Sequence, residues 1–144
     1  MGNRESFPNP LSDPAIIAEL NLAWQQSRAH DPAERHEEGG YILLTSDGFL
    51  RVERWRRGDQ SHIVPPPLDV NGCYNGNEVV AAFHTHPNPA IDEMGQEWEQ
   101  GPGESDRRWH QHRKLRGIVV SQAMLYEIDS DGNITVIGKR DEVL

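Results

Sequence analysis

The chain has 144 residues, 35% of them hydrophobic, with a formal net charge of −9 and a single cysteine. This length fits one domain with a modest core. The negative charge argues against nucleic acid or an anionic membrane as the main partner, because proteins bind both through basic patches. One cysteine allows neither an intrachain disulfide nor a cysteine-rich zinc site, so a bound metal would need histidine and carboxylate ligands.

No apolar run approaches the ~20 residues of a membrane span. The first residues, Met1-Gly2-Asn3-Arg4, lack the apolar core of a signal peptide. We therefore expect a cytoplasmic protein without a membrane partner, while signal-free export and delivery as an effector remain open. The sequence does not indicate an oligomeric state.

The N-terminal part predicts a tail followed by a helix. Residues 1–12 contain two prolines and little apolar content, which indicates a tail or a packed arm. Ser12-Asp13-Pro14 is a typical helix start. Apolar residues then recur at helical spacing, which predicts an amphipathic helix over 13–29 that lies on a sheet. Residues 13–144 are expected to form the single domain.

The rest of the chain predicts a mixed sheet with helices. Alternating or apolar runs predict strands over residues 41–45, 49–56, 79–85, 118–121, 125–128 and 134–137, with turns at Ser46-Asp47-Gly48 and Asp131-Gly132-Asn133. A second helix is predicted from Ser105-Asp106 to about Leu115, ended by Gly117. This order of elements predicts an α/β or α+β domain with a mixed β-sheet flanked by helices.

A long polar and acidic segment occupies residues 87–105. A loop of this length in a compact domain is usually functional or mobile. We expect either a solvated mobile segment or a lid that gates substrate. Its Asp92 and Glu93 are alternative metal ligands.

The strand predicted over 79–85 runs into His84-Thr85-His86-Pro87. Residues two apart in a strand face the same side, so the two imidazoles would project side by side. Neutral imidazoles in that geometry suit zinc, although a pair of surface histidines is the simpler interpretation. Glu37 before the first strand and Asp106 at a helix start add two carboxylates. Two histidines, one carboxylate and an open position are typical of a hydrolytic zinc site, and a further carboxylate can move the proton.

Three motifs in this order resemble the JAB/MPN (JAMM) zinc metallopeptidase superfamily, in its bacterial, stand-alone form. They are Glu37-Glu38-Gly39-Gly40, His84-Thr85-His86-Pro87 and Gly103-Glu104-Ser105-Asp106. The resemblance covers roughly residues 13–137 and implies the cytidine-deaminase-like architecture of that superfamily. It also implies a protein or peptide substrate, cleaved at a peptide or isopeptide bond.

The resemblance implies a role for each matching residue. His84, His86 and Asp106 would bind Zn²⁺, and Glu37 would be the general acid/base. The adjacent Glu38 is the rival, but Glu37 keeps the two-residue gap to Gly40. Neighbouring strand residues face opposite sides, so only one glutamate can face the metal.

The sequence departs from the superfamily pattern in two places. The usual motif has a serine three residues before the aspartate, where it helps to hold the oxygen of the tetrahedral intermediate, and this chain has Gly103 there. Ser105 remains as the catalytic candidate for that task if the turn is reshaped. The loop between His86 and Asp106 is also longer than usual. The alternative function is therefore a non-catalytic, metal-binding interaction module of the same fold, whereas the acidic balance disfavours a DNA-associated relative of the RadC type.

Other residues carry weaker signals. His110 and His112 lie about 200° apart on a helix and cannot share a metal. We expect them on a solvated basic face, with Trp109 and Leu115 facing the core. Cys73 has no neighbouring base and is not expected to be a nucleophile. His36 adjoins Glu37 and could tune it, but we expect His36 to be exposed, and we expect His62 to be structural or exposed.

Overall fold

The computed structural model describes residues 7–144 and contains one seven-stranded mixed sheet. The strands are β1 (Gly39–Leu44), β2 (Leu50–Arg54), β3 (Cys73–Tyr74), β4 (Asn77–Thr85), β5 (Arg116–Val120), β6 (Met124–Ile128) and β7 (Ile134–Lys139). The α-helices are α1 (Pro14–Gln26), α2 (Glu104–Arg113) and α3 (Arg140–Val143), and a 3₁₀ turn covers Pro10–Ser12. The predicted mixed sheet with helices is confirmed, in an α+β arrangement.

The strand order places β4 and β5 side by side at the centre. The order is β2-β1-β4-β5-β6-β7, with β3 paired to β4. Only β4 and β5 run parallel among these strands, and α2 connects them. A parallel pair needs such a crossover. The carboxyl end of β4 and the first turn of α2 therefore lie at the same edge of the sheet.

The two faces of the sheet carry different helices. On one face, α1 packs through Ile16, Leu20 and Ala23 against Phe83 and its neighbours. On the other face, Ala82 belongs to a second apolar cluster with Tyr41, Leu43, Trp55, Val79 and Leu115, and Trp109 of α2 packs against it. Because side chains alternate along β4, His84 shares the α2 face with Ala82, and Thr85 shares the α1 face with Phe83.

The predicted caps of the second helix are wrong. Helix α2 begins at Glu104 with Gly103 as its N-cap, so Asp106 lies within the first turn. The helix ends at Arg113, and its C-cap Lys114 adopts the left-handed conformation at φ 53°. Gly117 instead lies in β5 under the ring of His110, which comes within 2.5 Å of where a Cβ would be. This glycine is needed for close packing, whereas its position after a helical pattern suggested a cap.

The N-terminal segment is partly described. Of the predicted tail over 1–12, residues 1–6 lie outside the described part. Leu11 packs against the α1 side of the core, and Arg116 Nη1 donates to Asn9 Oδ1 at 2.9 Å. Helix α1 ends three residues earlier than predicted, at Gln26, with Ser27 as its C-cap. Within residues 7–144, no helix has the length and apolarity needed to cross a membrane.

Candidate metal centre

The two histidines of the motif converge at the end of β4. His84 pairs with Gly39 of β1 and with Val119 of β5, and the His86 amide donates to the Val120 carbonyl at 2.8 Å. Their Nε2 atoms lie 3.1 Å apart. The predicted side-by-side projection from one strand end is therefore present.

Glu37 approaches the histidine pair from the segment before β1. Its amide donates to the Asp59 carbonyl at 2.8 Å, and its carbonyl accepts from the Gly58 amide at 2.9 Å. One potential ligand atom each from Glu37, His84 and His86 lies within 4.8 Å of the others. These three residues form a group that can hold a metal ion.

Glu38 lies on the opposite face, as strand alternation requires. Its Oε1 accepts from Arg54 Nη2 at 2.6 Å, and its Oε2 contacts His36 Nε2. His36 Nδ1 also lies 2.8 Å from the Glu34 carbonyl. The expected exposure of His36 is wrong, because it is buried within this polar cluster. His62 is exposed, as expected.

Asp106 reaches the same point from the first turn of α2. Its Oδ1 lies 3.4 Å from His84 Nε2, and its Oδ2 lies 3.5 Å from His86 Nε2. Oδ2 also accepts the Gly103 amide at 3.0 Å, which orients the carboxylate and satisfies a free N–H at the helix start. The structure thus brings Asp106 to the histidines across the long loop.

The two carboxylates at this site differ in their affinity for protons. Burial raises the pKa of Glu37, although His84 and His86 partly oppose the rise. Burial also opposes ionisation of Asp106, but hydrogen bonds from the two histidines hold its pKa well below the ordinary value. Burial disfavours the charged form of His84, yet the bond to Asp106 outweighs it and raises the His84 pKa. A carboxylate that stays ionised and a carboxylate with a raised pKa therefore face the same pair of histidines.

The separations between donors fit a tetrahedral metal. Zinc–nitrogen and zinc–oxygen bonds of roughly 2.0–2.1 Å place neighbouring tetrahedral ligands about 3.3 Å apart. The separations here are 3.1 Å between the two histidines, and 3.4 and 3.5 Å from them to Asp106. Neutral imidazoles and carboxylates are also the donors that zinc accepts. The residues present therefore fit a zinc ion.

The donors lie in a cavity of about 570 Å³. Its walls come largely from residues 61–65, from α2 and from residues 96–99 of the long loop. Trp55, Trp98 and Trp109 all contribute to its lining. Ser105 lines the cavity as an exposed residue of the first helical turn.

The alternative ligands in the long loop are engaged elsewhere. Glu93 makes a two-point ion pair with the buried Arg35, with both N–O distances at 3.0 Å. Asp92 accepts from Trp98 Nε1 at 2.9 Å. Neither carboxylate belongs to the group around His84.

The position of the missing serine is filled by a different side chain. An added Cβ on Gly103 would lie 2.7 Å from Glu99 Oε2 and 3.9 Å from Asp106 Oδ2. A carboxylate from the long loop therefore occupies the space that a serine side chain would need.

His110 is buried on α2, four residues after Asp106. Its Nδ1 donates to the Leu115 carbonyl at 2.8 Å, and burial lowers its pKa to about 4. The predicted solvated face is wrong for His110, although His112 is exposed. The available signal was the spacing from Asp106, because residues four apart lie on one helix face. Leu115 faces the core as expected.

Neither a scan against protein-family models nor a search of curated proteins finds a match to this chain. The JAB/MPN resemblance therefore rests on the three sequence motifs. The structure shows a buried group of one glutamate and two histidines that can bind a metal.

Proposed function

We propose that this chain is a zinc-dependent hydrolase of the JAB/MPN type that cleaves a peptide or isopeptide bond. The observation that carries the proposal is the convergence of Glu37, His84, His86 and Asp106 in one cavity. Two imidazoles and one anionic carboxylate leave a fourth position for water or substrate, as in catalytic zinc sites.

The electrostatics favour a different role for each carboxylate. Asp106 would hold the metal with His84 and His86, because its pKa is low and it lies close to both histidines. Glu37 would act as the general acid/base, because its raised pKa suits a group that takes up and releases a proton.

The reaction requires one proton transfer between water and the leaving group. Zinc would supply a Lewis acid that makes water nucleophilic near neutral pH. Glu37 would take a proton from the attacking water and deliver it to the amide nitrogen. The carbon–oxygen bond forms as the water loses its proton, the carbon–nitrogen bond breaks as the nitrogen receives that proton, and Glu37 returns to its starting state.

The cavity suits a short stretch of substrate chain. Its volume of about 570 Å³ lies within the range of ligand pockets, roughly 300–1,000 Å³. Tryptophan and proline side chains form much of its apolar lining. A protein or peptide would thus insert a few residues beside the metal while the rest remains outside.

One observation favours a second candidate, a non-catalytic metal-binding interaction module. The Glu99 carboxylate beside Gly103 brings negative charge where the superfamily has a hydroxyl donor. Loss of one such donor costs about 10²–10³ in rate. Ser105 would have to provide that donor for a fully active enzyme.

Zinc binding gives the first test. We expect one zinc ion per chain by elemental analysis, and a large loss of zinc affinity in His84→Ala and Asp106→Ala. Glu37→Gln should retain zinc, because Glu37 is not a ligand in this proposal. His112→Ala is the matched control, since that histidine is exposed on α2. Zinc loss in Glu37→Gln with full zinc in Asp106→Ala would reverse the two carboxylate roles.

Hydrolysis gives the second test. Zinc-loaded protein is incubated with a proteome-derived peptide library, and new termini are identified by mass spectrometry. Cleavage that Glu37→Gln lowers by about 10²–10⁴-fold, with zinc retained, supports the enzyme. Zinc-loaded wild type without cleavage of peptides or isopeptide-linked proteins would contradict the enzyme and favour the interaction module.

A further inference from the structure

A buried chain of hydrogen bonds lies behind the metal site, on the α1 face of the sheet. It is centred on Thr85, the residue between the two histidines. The Thr85 hydroxyl accepts the Glu38 amide at 3.0 Å and lies 2.6 Å from Ser27 Oγ. Ser27 Oγ donates in turn to the Ala23 carbonyl of α1 at 2.9 Å. Thr85 and Ser27 are both 0% exposed.

The direction of this chain is determined by its two ends. The Glu38 amide can only donate, and the Ala23 carbonyl can only accept. Ser27 uses its one hydroxyl hydrogen on Ala23, so Thr85 must donate to Ser27. Each hydroxyl therefore donates once and accepts once. A methyl group in place of the Thr85 hydroxyl would leave the Glu38 amide buried without an acceptor.

Thr85 continues the pairing of β1 with β4 by one residue next to the metal site, with its hydroxyl in place of a backbone acceptor. The pairing of β1 with β4 ends at Gly39 and His84. One residue further, the Thr85 amide donates to the Glu38 carbonyl at 2.9 Å. The hydroxyl of the same threonine accepts the Glu38 amide in return. This two-point contact holds Glu38 against the strand that carries both histidines.

The neighbouring segment is tied to α1 as well. The His36 amide donates to the Ser27 carbonyl at 3.0 Å. Ser27 therefore contacts both sides of Glu37 in the chain, directly at His36 and through Thr85 at Glu38. The position of the Glu37 backbone is determined by these contacts and by its own bonds to the 58–59 segment.

We propose that Thr85 is a positioning residue, which sets Glu37 against His84 and His86 through the Glu38 amide. This inference rests on the proposed role of Glu37 as the acid/base. Thr85 touches neither substrate nor metal, because its side chain lies on the opposite face from the histidines. The effect of the threonine is geometric, and a displacement of about 1 Å at a catalytic group can cost ~10²-fold in rate.

The test compares Thr85→Val, which keeps the shape but loses the hydroxyl, with Thr85→Ser, which keeps the hydroxyl. Thr135→Val is the matched control, since Thr135 is exposed on β7. With the peptide library as substrate, Thr85→Val should cleave up to ~10²-fold more slowly at unchanged zinc content, and Thr85→Ser should stay near wild type. Equal loss in both variants, or zinc loss as large as in His84→Ala, would overturn the proposal.

Amide hydrogen exchange measured by NMR tests the same link without catalysis or zinc. In zinc-free protein, the Glu38 amide should exchange at least about tenfold faster in Thr85→Val, because it loses its buried acceptor. Thr85→Ser should restore slow exchange, and Ser27→Ala should cause a smaller increase. An unchanged Glu38 exchange rate in Thr85→Val would overturn the proposal. Wild type that cleaves nothing would refute the proposed function, while the exchange data would still decide the Thr85–Glu38 link.

Discussion

Glu37 and Glu38 are adjacent in sequence, yet their carboxylates lie on opposite faces of the sheet. Glu37 faces the two histidines, where burial raises its pKa. Glu38 is buried against Arg54 and His36. Removing one partner of a buried ion pair lowers stability, because the other charge is left uncompensated.

This difference predicts opposite effects of two conservative substitutions. Glu38→Gln should lower the free energy of unfolding by about 1–3 kcal/mol, because the half-buried Arg54 loses its anionic partner. Glu37→Gln should leave stability equal or higher, because it removes a buried charge of raised pKa. Urea denaturation of both zinc-free variants at neutral pH checks this. A larger loss of stability in Glu37→Gln than in Glu38→Gln would contradict the assignment of faces.

At the scale of elements, the long loop forms one wall of the cavity. Its two arms meet at the isolated bridge between Ile91 and Glu97, and the Trp98 amide donates to the Ala90 carbonyl at 3.0 Å. The ion pair between Arg35 and Glu93 fastens it to the segment just before Glu37. Residues 96–99 line the cavity as a result. Movement of the loop as a lid stays a prediction. Such movement would require the ion pair between Arg35 and Glu93 to break.

Glu93→Gln should loosen the loop as a unit. The substitution removes the charge that pairs with the buried Arg35, so amides of residues 88–100 should exchange faster while those of β4 stay unchanged. Hydrogen exchange by mass spectrometry measures this. Glu97→Gln is the control, because no ion pair joins Glu97 to the described part of the chain. Identical exchange in wild type and Glu93→Gln would contradict a role for the ion pair in closing the loop.

For the whole molecule, the buried His110 near the metal site makes the stability of the fold depend on pH below neutrality. Its burial against β5 is the main cause that lowers its pKa, with smaller contributions from His84 and Arg113, whereas the Leu115 carbonyl and Asp106 favour the protonated form. Its folded-state pKa of about 4 lies below the ordinary value of 6.5. The unfolded chain therefore binds a proton at a higher pH than the folded protein does. The contribution of neutral His110 to the free energy of unfolding is fully present above the pKa of the unfolded state. It is lost as the pH falls towards 4.

This shift predicts a loss of about 3 kcal/mol in the free energy of unfolding between pH 7 and pH 4. Urea denaturation of zinc-free protein across that range measures it. His110→Asn keeps a donor near the Leu115 carbonyl but cannot titrate, so its profile should be flatter. His112→Asn, at an exposed position, should follow wild type. A wild-type profile retained in His110→Asn would show that another group causes the acid loss.

The features that depend on local patterns can be predicted from the sequence alone. Apolar and alternating runs predicted six of the strands, because side-chain period follows directly from backbone geometry. The same period put His84 and His86 on one side and separated Glu37 from Glu38. The two-residue strand Cys73–Tyr74 carries too little pattern to be predicted.

Features that depend on contacts between distant residues follow from the tertiary fold and not from local patterns. The pairs of Ser27 with Thr85 and of Arg35 with Glu93 each join residues 58 positions apart. The burial of His110 depends on α2 packing over Gly117 of β5. Such contacts follow from which helix covers which face of the sheet. A local pattern shows on which side of its own strand or helix a residue lies. The partner that completes its hydrogen bonds belongs to another element, so the pattern does not reveal it.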